Sequence, residues 1–463
     1  MTLIKSISGI RGTIGGAVGD NLTPLDAVKF AAAYGTWLKK TYQHRPNIKV
    51  VIGRDARISG SMMQELVVNT LVGLGIEVVS LGLSTTPTVE VAVPLENAEG
   101  GIILTASHNP KQWNALKLLN HKGEFLSAKD GAEILEIAEA ESFDFADVDN
   151  LGEVHINDAY FDIHIDEILN LPLVHEEAIA KAKLTVVLDA VNSTGGIAIP
   201  LLLERLGVEV IKLYCEPNGE FPHNPEPLKE HLTDICEKVV ADKADLGIVV
   251  DPDVDRLAFV AEDGEMFGEE YTLVAIADYV LGKEPGSTVS NMSSSRALRD
   301  VTEKHGGTYK ASAVGEVNVV QMMKDTKAII GGEGNGGIIY PELHYGRDAL
   351  VGIALFLSHL AEQKISVSEL RKTYPSYFMS KKKIALTPQI DVDGILAEMT
   401  KRYSSEDITT IDGVKIDFPQ NWVHLRKSNT EPIIRIYTEA MSQEEADSLA
   451  DAFIKEISEI AGI

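Results

Sequence analysis

Short β-branched apolar runs alternate with longer amphipathic stretches along most of this 463-residue chain. Residues 49–82 show the pattern first: KVVIGRD, then the helix-like SMMQELVVNTLVGLG, then IEVVSLG. Residues 184–214 repeat it as LTVVLDAVNSTGG, IAIPLLLERLG and VEVIKLY. A looser third copy runs from GSTVSNMSSSRALRDVTEKHGG into TYKASAVG over 286–315. A strand, a polar turn, an amphipathic helix and a second strand make one βαβ unit, and its repetition predicts largely parallel sheets buried between helices. The tail breaks the pattern. It has a helical stretch at 393–403, a strand pair around GVKIDFP and WVHLRKS, and a closing amphipathic helix over 443–460.

The fold class expected is therefore α/β: three related α/β domains with mixed, largely parallel sheets around a central cleft, followed by a smaller C-terminal α+β domain. The expected divisions are 1–154, 155–258, 259–371 and 372–463. Sheets of this kind present ligand sites at the carboxyl ends of their strands. Two polar loops stand there: TASHNP (105–110) directly after GGIIL, and DPDVDR (251–256) directly after ADLGIVV.

Charge narrows the ligand. The formal net charge is −27, with 44% hydrophobic and 24% charged residues. Such a surface repels phosphate backbones and anionic lipid, so neither nucleic acid nor membrane is expected as a partner. An anionic small molecule then needs local cations. The two cysteines, Cys215 and Cys236, lack a metal-type spacing and argue for a reducing compartment. The opening residues carry no long apolar stretch, and no run reaches membrane-spanning length, so a cytoplasmic location is expected.

Four loops carry chemistry. In TASHNPKQWNALK, Ser107 is a candidate nucleophile or phosphate carrier, with His108 and Lys117 as nearby cations or proton donors; a plain turn capped by Ser107 or Asn109 is the alternative. In DPDVDR, Asp251, Asp253 and Asp255 converge on a hard cation if the backbone turns through them. An EF-hand also begins D-x-D-x-D, and Glu262 falls at its twelfth position. Arg256 stands where that loop needs glycine, however, and LAFVAED continues as a strand. In GGEGNGG (331–337) glycines allow close ligand approach, and Glu333 and Asn335 suit sugar hydroxyls; no Lys-Ser/Thr pair marks a P-loop. In RKSNTEPIIR (426–435), Arg426, Lys427 and Arg435 surround Ser428, Asn429 and Thr430, a set suited to a phosphate dianion.

In this order the four loops resemble those of the α-D-phosphohexomutase superfamily, over essentially the whole chain. GIRG (9–12), IGRDARIS (52–59) and FPHNPEP (221–227) are similar to its accessory motifs. The resemblance implies an isomerase that interconverts hexose 6-phosphate and hexose 1-phosphate through a phosphoserine and a hexose 1,6-bisphosphate. It makes Ser107 the phosphorylated residue. Mg²⁺ would sit on Asp251, Asp253, Asp255 and the phosphate of Ser107. Arg11, Arg256 and Lys117 match positions near the phosphoserine, with Lys117 or His108 moving the proton. Glu333 and Asn335 match the sugar contacts; Arg426, Ser428, Asn429, Thr430 and Arg435 match the grip on the non-reacting phosphate. The state expected is monomer or homodimer.

The chain departs from that pattern in places. Asn335 and Gly337 stand where many members have serine and histidine, Ala115 replaces a glycine, and VGEV places Glu316 after the glycine of a further loop. The pattern is closest to the archaeal-type branch assigned to phosphoglucosamine mutase, with phosphomannomutase/phosphoglucomutase as the alternative. Two rivals lie further off: an aspartyl phosphatase using Asp251 as nucleophile, which needs Thr or Val at the fifth position where this chain has Asp255, and a non-catalytic sugar-phosphate sensor. Phosphoserine adds about −1.5 to −2 charges. With three carboxylates, Mg²⁺ and Arg256 the centre stays near −2, so Arg11, Lys117 and the 426–435 cluster must compensate.

Overall fold

The computed structural model describes residues 2–6, 9–385, 390–427 and 433–462. The chain divides into two compact units, Met1–Thr272 with Asn335–Leu370, and Leu273–Gly334 with Arg371–Ile463. Among the described residues no helix is long and apolar enough to cross a membrane.

The three sequence repeats fold alike. Strands Lys49–Arg54 and Glu77–Leu83 pair in parallel around the helix Gly60–Gly73. Thr185–Asp189 and Glu209–Leu213 do so around Gly195–Arg205, and Thr288–Asn291 and Tyr309–Ser312 around Ala297–Lys304. Their central strands are buried on both faces, as parallel strands covered by helices must be.

In the first unit, the seven-stranded sheet runs in spatial order 4–6, 9–13, 113–119, 100–104, 49–54, 77–83, 154–156. It is parallel from Gly100–Leu104 to Val154–Ile156 and antiparallel on the other side. The sheet is thus evenly mixed rather than mostly parallel. A four-stranded sheet follows in the order 257–261, 246–250, 185–189, 209–213, again with one antiparallel edge. These antiparallel edges matter for function. The loops 105–112 and 251–256 each join two antiparallel neighbours, Gly100–Leu104 to Trp113–Leu119 and Leu246–Val250 to Leu257–Ala261. Each loop is therefore pinned at both ends by a strand ladder.

Two helices position the site. Thr86–Leu95 is capped by the Thr85 side chain on the Thr88 N–H and carries Pro87 in its first turn, where a missing N–H costs nothing. Ala349–Gln363 is capped by Asp348, which accepts from the Leu350 and Val351 N–H groups, and is buried from Ala349 to Ala361.

The second unit holds the parallel strands Tyr309–Ser312, Thr288–Asn291 and Ile330–Glu333 in that order. It also holds an antiparallel sheet in the order 378–385, 433–440, 422–427, 414–417, 407–409. The expected strand pair thus lies within a sheet of five strands. The closing helix Gln443–Ala461 buries Ala446, Ala450, Phe453 and Ile457, a single helical face, against the core beneath that sheet.

Candidate active site

Ser107, the third residue of its loop, stands in a backbone conformation that side chains resist. Its φ is +49°, held by a hydrogen bond from its N–H to Thr105 Oγ1 at 2.9 Å. Arg57 clamps the loop from below. Its guanidinium donates to the carbonyls of Ser107, Asn109, Pro110 and Trp113, and its own position is fixed by Asp55, with both side chains fully buried. Asp55 in turn accepts from Thr105 Oγ1 at 2.7 Å. The physical role of IGRDARIS is therefore to build the floor under the serine.

The loop 251–256 turns as its chemistry requires. Asp251 Oδ1 accepts from the N–H groups of Asp255 and Arg256, at 3.2 and 3.1 Å, which curls the backbone around that carboxylate. Val254, fully buried, sits at φ +64°. A β-branched residue there stores roughly 1–3 kcal/mol of strain, the kind of cost kept at functional loops. All three aspartates are fully buried.

The two loops meet. Ser107 Oγ donates to Asp251 Oδ2 at 2.8 Å. Lys117, one strand on, donates to Asp253 Oδ2 at 2.7 Å and to Asp255 Oδ2 at 3.3 Å. Thr86, at the start of its helix, donates to Asp253 Oδ2 as well. Arg347 reaches Asp255 Oδ2 at 2.7 Å. Asp253 Oδ1 and Asp255 Oδ1 are buried with no hydrogen-bond partner among the described residues.

Electrostatics follow from that crowding. Burial, then Asp255 and Asp253, push the Asp251 carboxyl well above the ordinary carboxylate range. Burial opposes ionisation of Asp255, but Arg347, Lys117 and Arg256 outweigh it and hold the group below that range. Burial also opposes the Lys117 charge, yet Asp253 and Asp255 keep its ammonium above its usual value. Three buried carboxylates with ligand oxygens within 4.8 Å of one another, two of those residues each keeping an unpartnered oxygen, fit a hard divalent cation.

The remaining expected residues of this unit fall nearby or are tied elsewhere. His108 Nδ1 lies 3.3 Å from Ser107 Oγ; burial, then Arg256, push its imidazole down to about 2, so it stands neutral. Arg256 is ion-paired at 3.0 Å with Glu226 of FPHNPEP. Arg11 sits on the strand Gly9–Thr13 opposite Ala115, and its charge acts on His108. Asn335 Oδ1 accepts from the Gly337 N–H at 3.2 Å. Gly336, at φ +83°, is needed because a Cβ there would lie 2.1 Å from the Leu257 carbonyl oxygen. A Cβ at Gly337 would lie 2.3 Å from Arg347 Cδ, so the space a side chain would take there is filled by the arginine that reaches Asp255.

The second unit carries the other expected residues. Glu333 accepts from Asn291 Nδ2 at 2.8 Å and from the Gly315 N–H at 3.2 Å. Arg426 and Arg435 are cross-strand partners. Asp412 holds Arg426 Nε at 2.9 Å and accepts from the Val314 N–H at 3.0 Å. Ser428, Asn429 and Thr430 lie outside the described residues. Arg57, Arg347, Asn291, Thr86 and Asp412 are not among the residues the sequence pattern points to. Of these, only Arg57 lies in a motif that pattern singles out.

Comparison with known proteins places this geometry. Four family profiles match in succession: phosphoglucomutase/phosphomannomutase alpha/beta/alpha domain I over residues 3–145, domain II over 162–264, domain III over 268–377, and the C-terminal domain over 381–456. A phosphoglucomutase/phosphomannomutase from Thermococcus kodakarensis is 36% identical, covering 97% of this chain and 98% of its own. A phosphoglucosamine/phosphogalactosamine mutase from Sulfurisphaera tokodaii is 32% identical, with coverages of 95% and 96%. Among solved structures, a phosphoglucomutase/phosphomannomutase family protein from Burkholderia thailandensis shares the fold at a TM-score of 0.85 and 24% identity, covering 100% of this chain and 98% of its own. An Aspergillus fumigatus N-acetylphosphoglucosamine mutase, solved with GlcNAc-6P and magnesium, does so at 0.59 and 13%, covering 92% and 96%. The chain belongs to the phosphoglucomutase/phosphomannomutase family of phosphohexomutases, isomerases that interconvert sugar phosphates.

Proposed function

We propose that this chain is a phosphoglucosamine mutase, converting glucosamine 6-phosphate to glucosamine 1-phosphate through a phosphate carried on Ser107. The observation that carries the reading is the hydrogen bond from Ser107 Oγ to Asp251, inside a buried triad with unpartnered carboxylate oxygens. Asp251, Asp253 and Asp255, with the phosphate on Ser107, would hold Mg²⁺. When bound, that ion supplies charge neutralisation to the transferring phosphoryl oxygens.

The chain's own groups do the rest. The strained turn at Ser107 and the Arg57 clamp fix where Oγ points, so the transferring group is aimed before substrate arrives. A sugar hydroxyl attacks the phosphorus, the bond to Ser107 Oγ breaks, and the hydroxyl proton passes to the neutral His108 imidazole, while Lys117 keeps its ammonium charge beside the aspartates. The hexose 1,6-bisphosphate then presents its other phosphate, and the serine recovers one. Lys117 and Arg347 add two cations to Arg256, which brings the phosphorylated centre close to neutrality. Glu333 and Asn335 recognise hydroxyls; Arg426 and Arg435, with Ser428, Asn429 and Thr430, hold the idle phosphate. The domain divisions expected from the sequence belong to the same proposal.

Glucosamine rests on the branch pattern of the sequence and on the name borne by the Sulfurisphaera relative. The test is peptide mass spectrometry of 105–117 before and after exposure to glucose 1,6-bisphosphate, followed by turnover on a panel of hexose 1-phosphates. Expected are phosphate on Ser107, complete loss of charging and turnover in Ser107→Ala, and preference for the glucosamine ester. Greater turnover of mannose or glucose phosphates reassigns the substrate within the family. Undiminished isomerisation by Ser107→Ala ends the phosphoserine reading.

A further inference from the structure

A second cluster of ligating side chains lies in the first unit, outside the triad. His164 stands on the buried face of the helix Tyr160–Leu169, beside Tyr160 and Ile168. Its Nε2 lies 3.0 Å from Asp348 Oδ2, and His344 Nε2 lies 3.3 Å from the same oxygen. The three ligand atoms all fall within 4.8 Å of one another. The other carboxylate oxygen of Asp348 is already used, capping the helix Ala349–Gln363, so Oδ2 is aimed by the helix end.

The outer atom of the His164 ring is hydrogen-bonded, and that of His344 faces a carboxylate at ion-pair distance without hydrogen-bond geometry. His164 Nδ1 lies 3.0 Å from Thr88 Oγ1, and His344 Nδ1 lies 3.5 Å from Glu90 Oε2. His164 is thus arranged as metal-bound histidines are, with one nitrogen for the ion and the other on a hydroxyl that fixes tautomer and ring orientation. His344 makes the case sharpest. It lies between two carboxylates, Glu90 on Nδ1 and Asp348 on Nε2, in a site where its side chain is 10% exposed. A carboxylate only accepts, so a neutral ring satisfies one of these contacts and turns a lone pair toward the other. A cation at Nε2 resolves the conflict. The spacing agrees, since donors about 2.0–2.1 Å from one ion stand about 3.0–3.4 Å apart.

We infer that His164 Nε2, His344 Nε2 and Asp348 Oδ2 form a binding site for a divalent transition-metal ion of the zinc type, distinct from the aspartate triad. Two imidazoles and one carboxylate suit a borderline ion; Mg²⁺ prefers an all-oxygen set. The site is structural in consequence. It ties the helix Tyr160–Leu169 to the turn before Ala349, and Arg347 in that turn is the residue that reaches Asp255. The inference stands independently of which hexose phosphate the enzyme takes.

The full-length protein is stripped with chelator, dialysed against Zn²⁺ with Mg²⁺ in excess, and its metal content measured by mass spectrometry. Co²⁺ replaces Zn²⁺ for visible absorption. About one equivalent of Zn²⁺ is expected. It should be lost in His344→Gln and in His164→Gln, kept in Asp253→Asn, and accompanied by a d–d band showing nitrogen ligation in the Co²⁺ form. Circular dichroism confirms that each variant is folded. The inference is overturned if folded wild-type protein retains no zinc, if His344→Gln retains it equally, or if Asp253→Asn loses it. An imidazolium bridging Glu90 and Asp348 would give the first of these results.

Discussion

The two units hold their candidate residues in opposite ways. In the first, ionised groups meet face to face: Lys117 and Arg347 donate directly to a buried aspartate triad, and Ser107 donates to its first member. In the second, the expected recognition residues are held at one remove. Glu333 leans on Asn291 and a backbone N–H, while Arg426 leans on Asp412. On the proposed function the first arrangement is electrostatic preorganisation, with the charges that face a transferring phosphoryl group placed before it arrives. The second, on the proposed function, is scaffolding for groups that grip unreacting atoms. The contrast predicts that damage to the first unit falls on kcat and damage to the second on KM.

The largest effect is expected at Lys117. Lys117→Ala leaves Asp253 and Asp255 facing each other with only Arg347 and Arg256 to balance them. We expect kcat to fall on the order of 10³-fold, about 4 kcal/mol of transition-state stabilisation. Steady-state kinetics on the preferred hexose 1-phosphate read the result directly. A rise in KM at constant kcat would reverse the contrast and make Lys117 a substrate anchor.

How much of this is legible in the sequence follows from where the information sits. Ser107, Lys117 and the three aspartates are readable because each lies in or beside a polar loop that leaves a buried strand, a local pattern. Arg347 is not, because it pairs with a residue 92 positions away and stands in YGRDAL, which reads as an ordinary helix start. Asp412 is hidden in the same way: followed by Gly413, it looks like a turn. The turn is real, since Gly413 has φ +73° and a Cβ there would lie 2.2 Å from the Leu425 carbonyl oxygen. Its carboxylate nevertheless has a second role that no spacing announces. The strain at Val254 is equally invisible, because nothing in its side chain favours a left-handed backbone. The fold is easier, as three repeats of one βαβ pattern over-determine it. Sheet direction is harder, since 113–119 and 257–261 read as strands whichever way they pair.

Acid separates the units next. His424 of the second unit is fully packed, its Nε2 against the Asp412 carbonyl at 2.7 Å and its Nδ1 against Ser293 Oγ at 2.9 Å. Burial, with Lys415 and Arg426 adding to it against the pull of Asp412, brings its imidazole down to about 4. The folded chain therefore refuses a proton that the unfolded chain accepts below its ordinary value of about 6.5. Stability from this group is complete above that pH and falls as pH drops toward 4, by about 3 kcal/mol in all. Urea unfolding at steps between pH 7 and 4.5, followed by Trp422 fluorescence in a variant lacking the other two tryptophans, reads it. His424→Gln should flatten the slope. An unchanged slope would mean that His424 is not the residue making this unit acid-sensitive.

The smallest effect tests the second unit most finely. Asp412→Asn keeps an acceptor for the Val314 N–H but removes the charge that holds the Arg426 guanidinium, a contact at 2.9 Å on side chains roughly one-fifth to one-quarter exposed. Partial exposure limits such a pair, and an asparagine still offers a neutral hydrogen bond. We expect KM for the hexose phosphate to rise about fivefold to tenfold, about 1 kcal/mol, with kcat within about twofold. A different split would be informative. Asp412 touches Val314, the next residue donates its N–H to Glu333, and that short path joins the strand of Arg426 to the Glu333 carboxylate. If Asp412→Asn lowers kcat as much as it raises KM, the path transmits alignment as well as holding an arginine, and the division of labour between the two units is less clean than their contacts suggest.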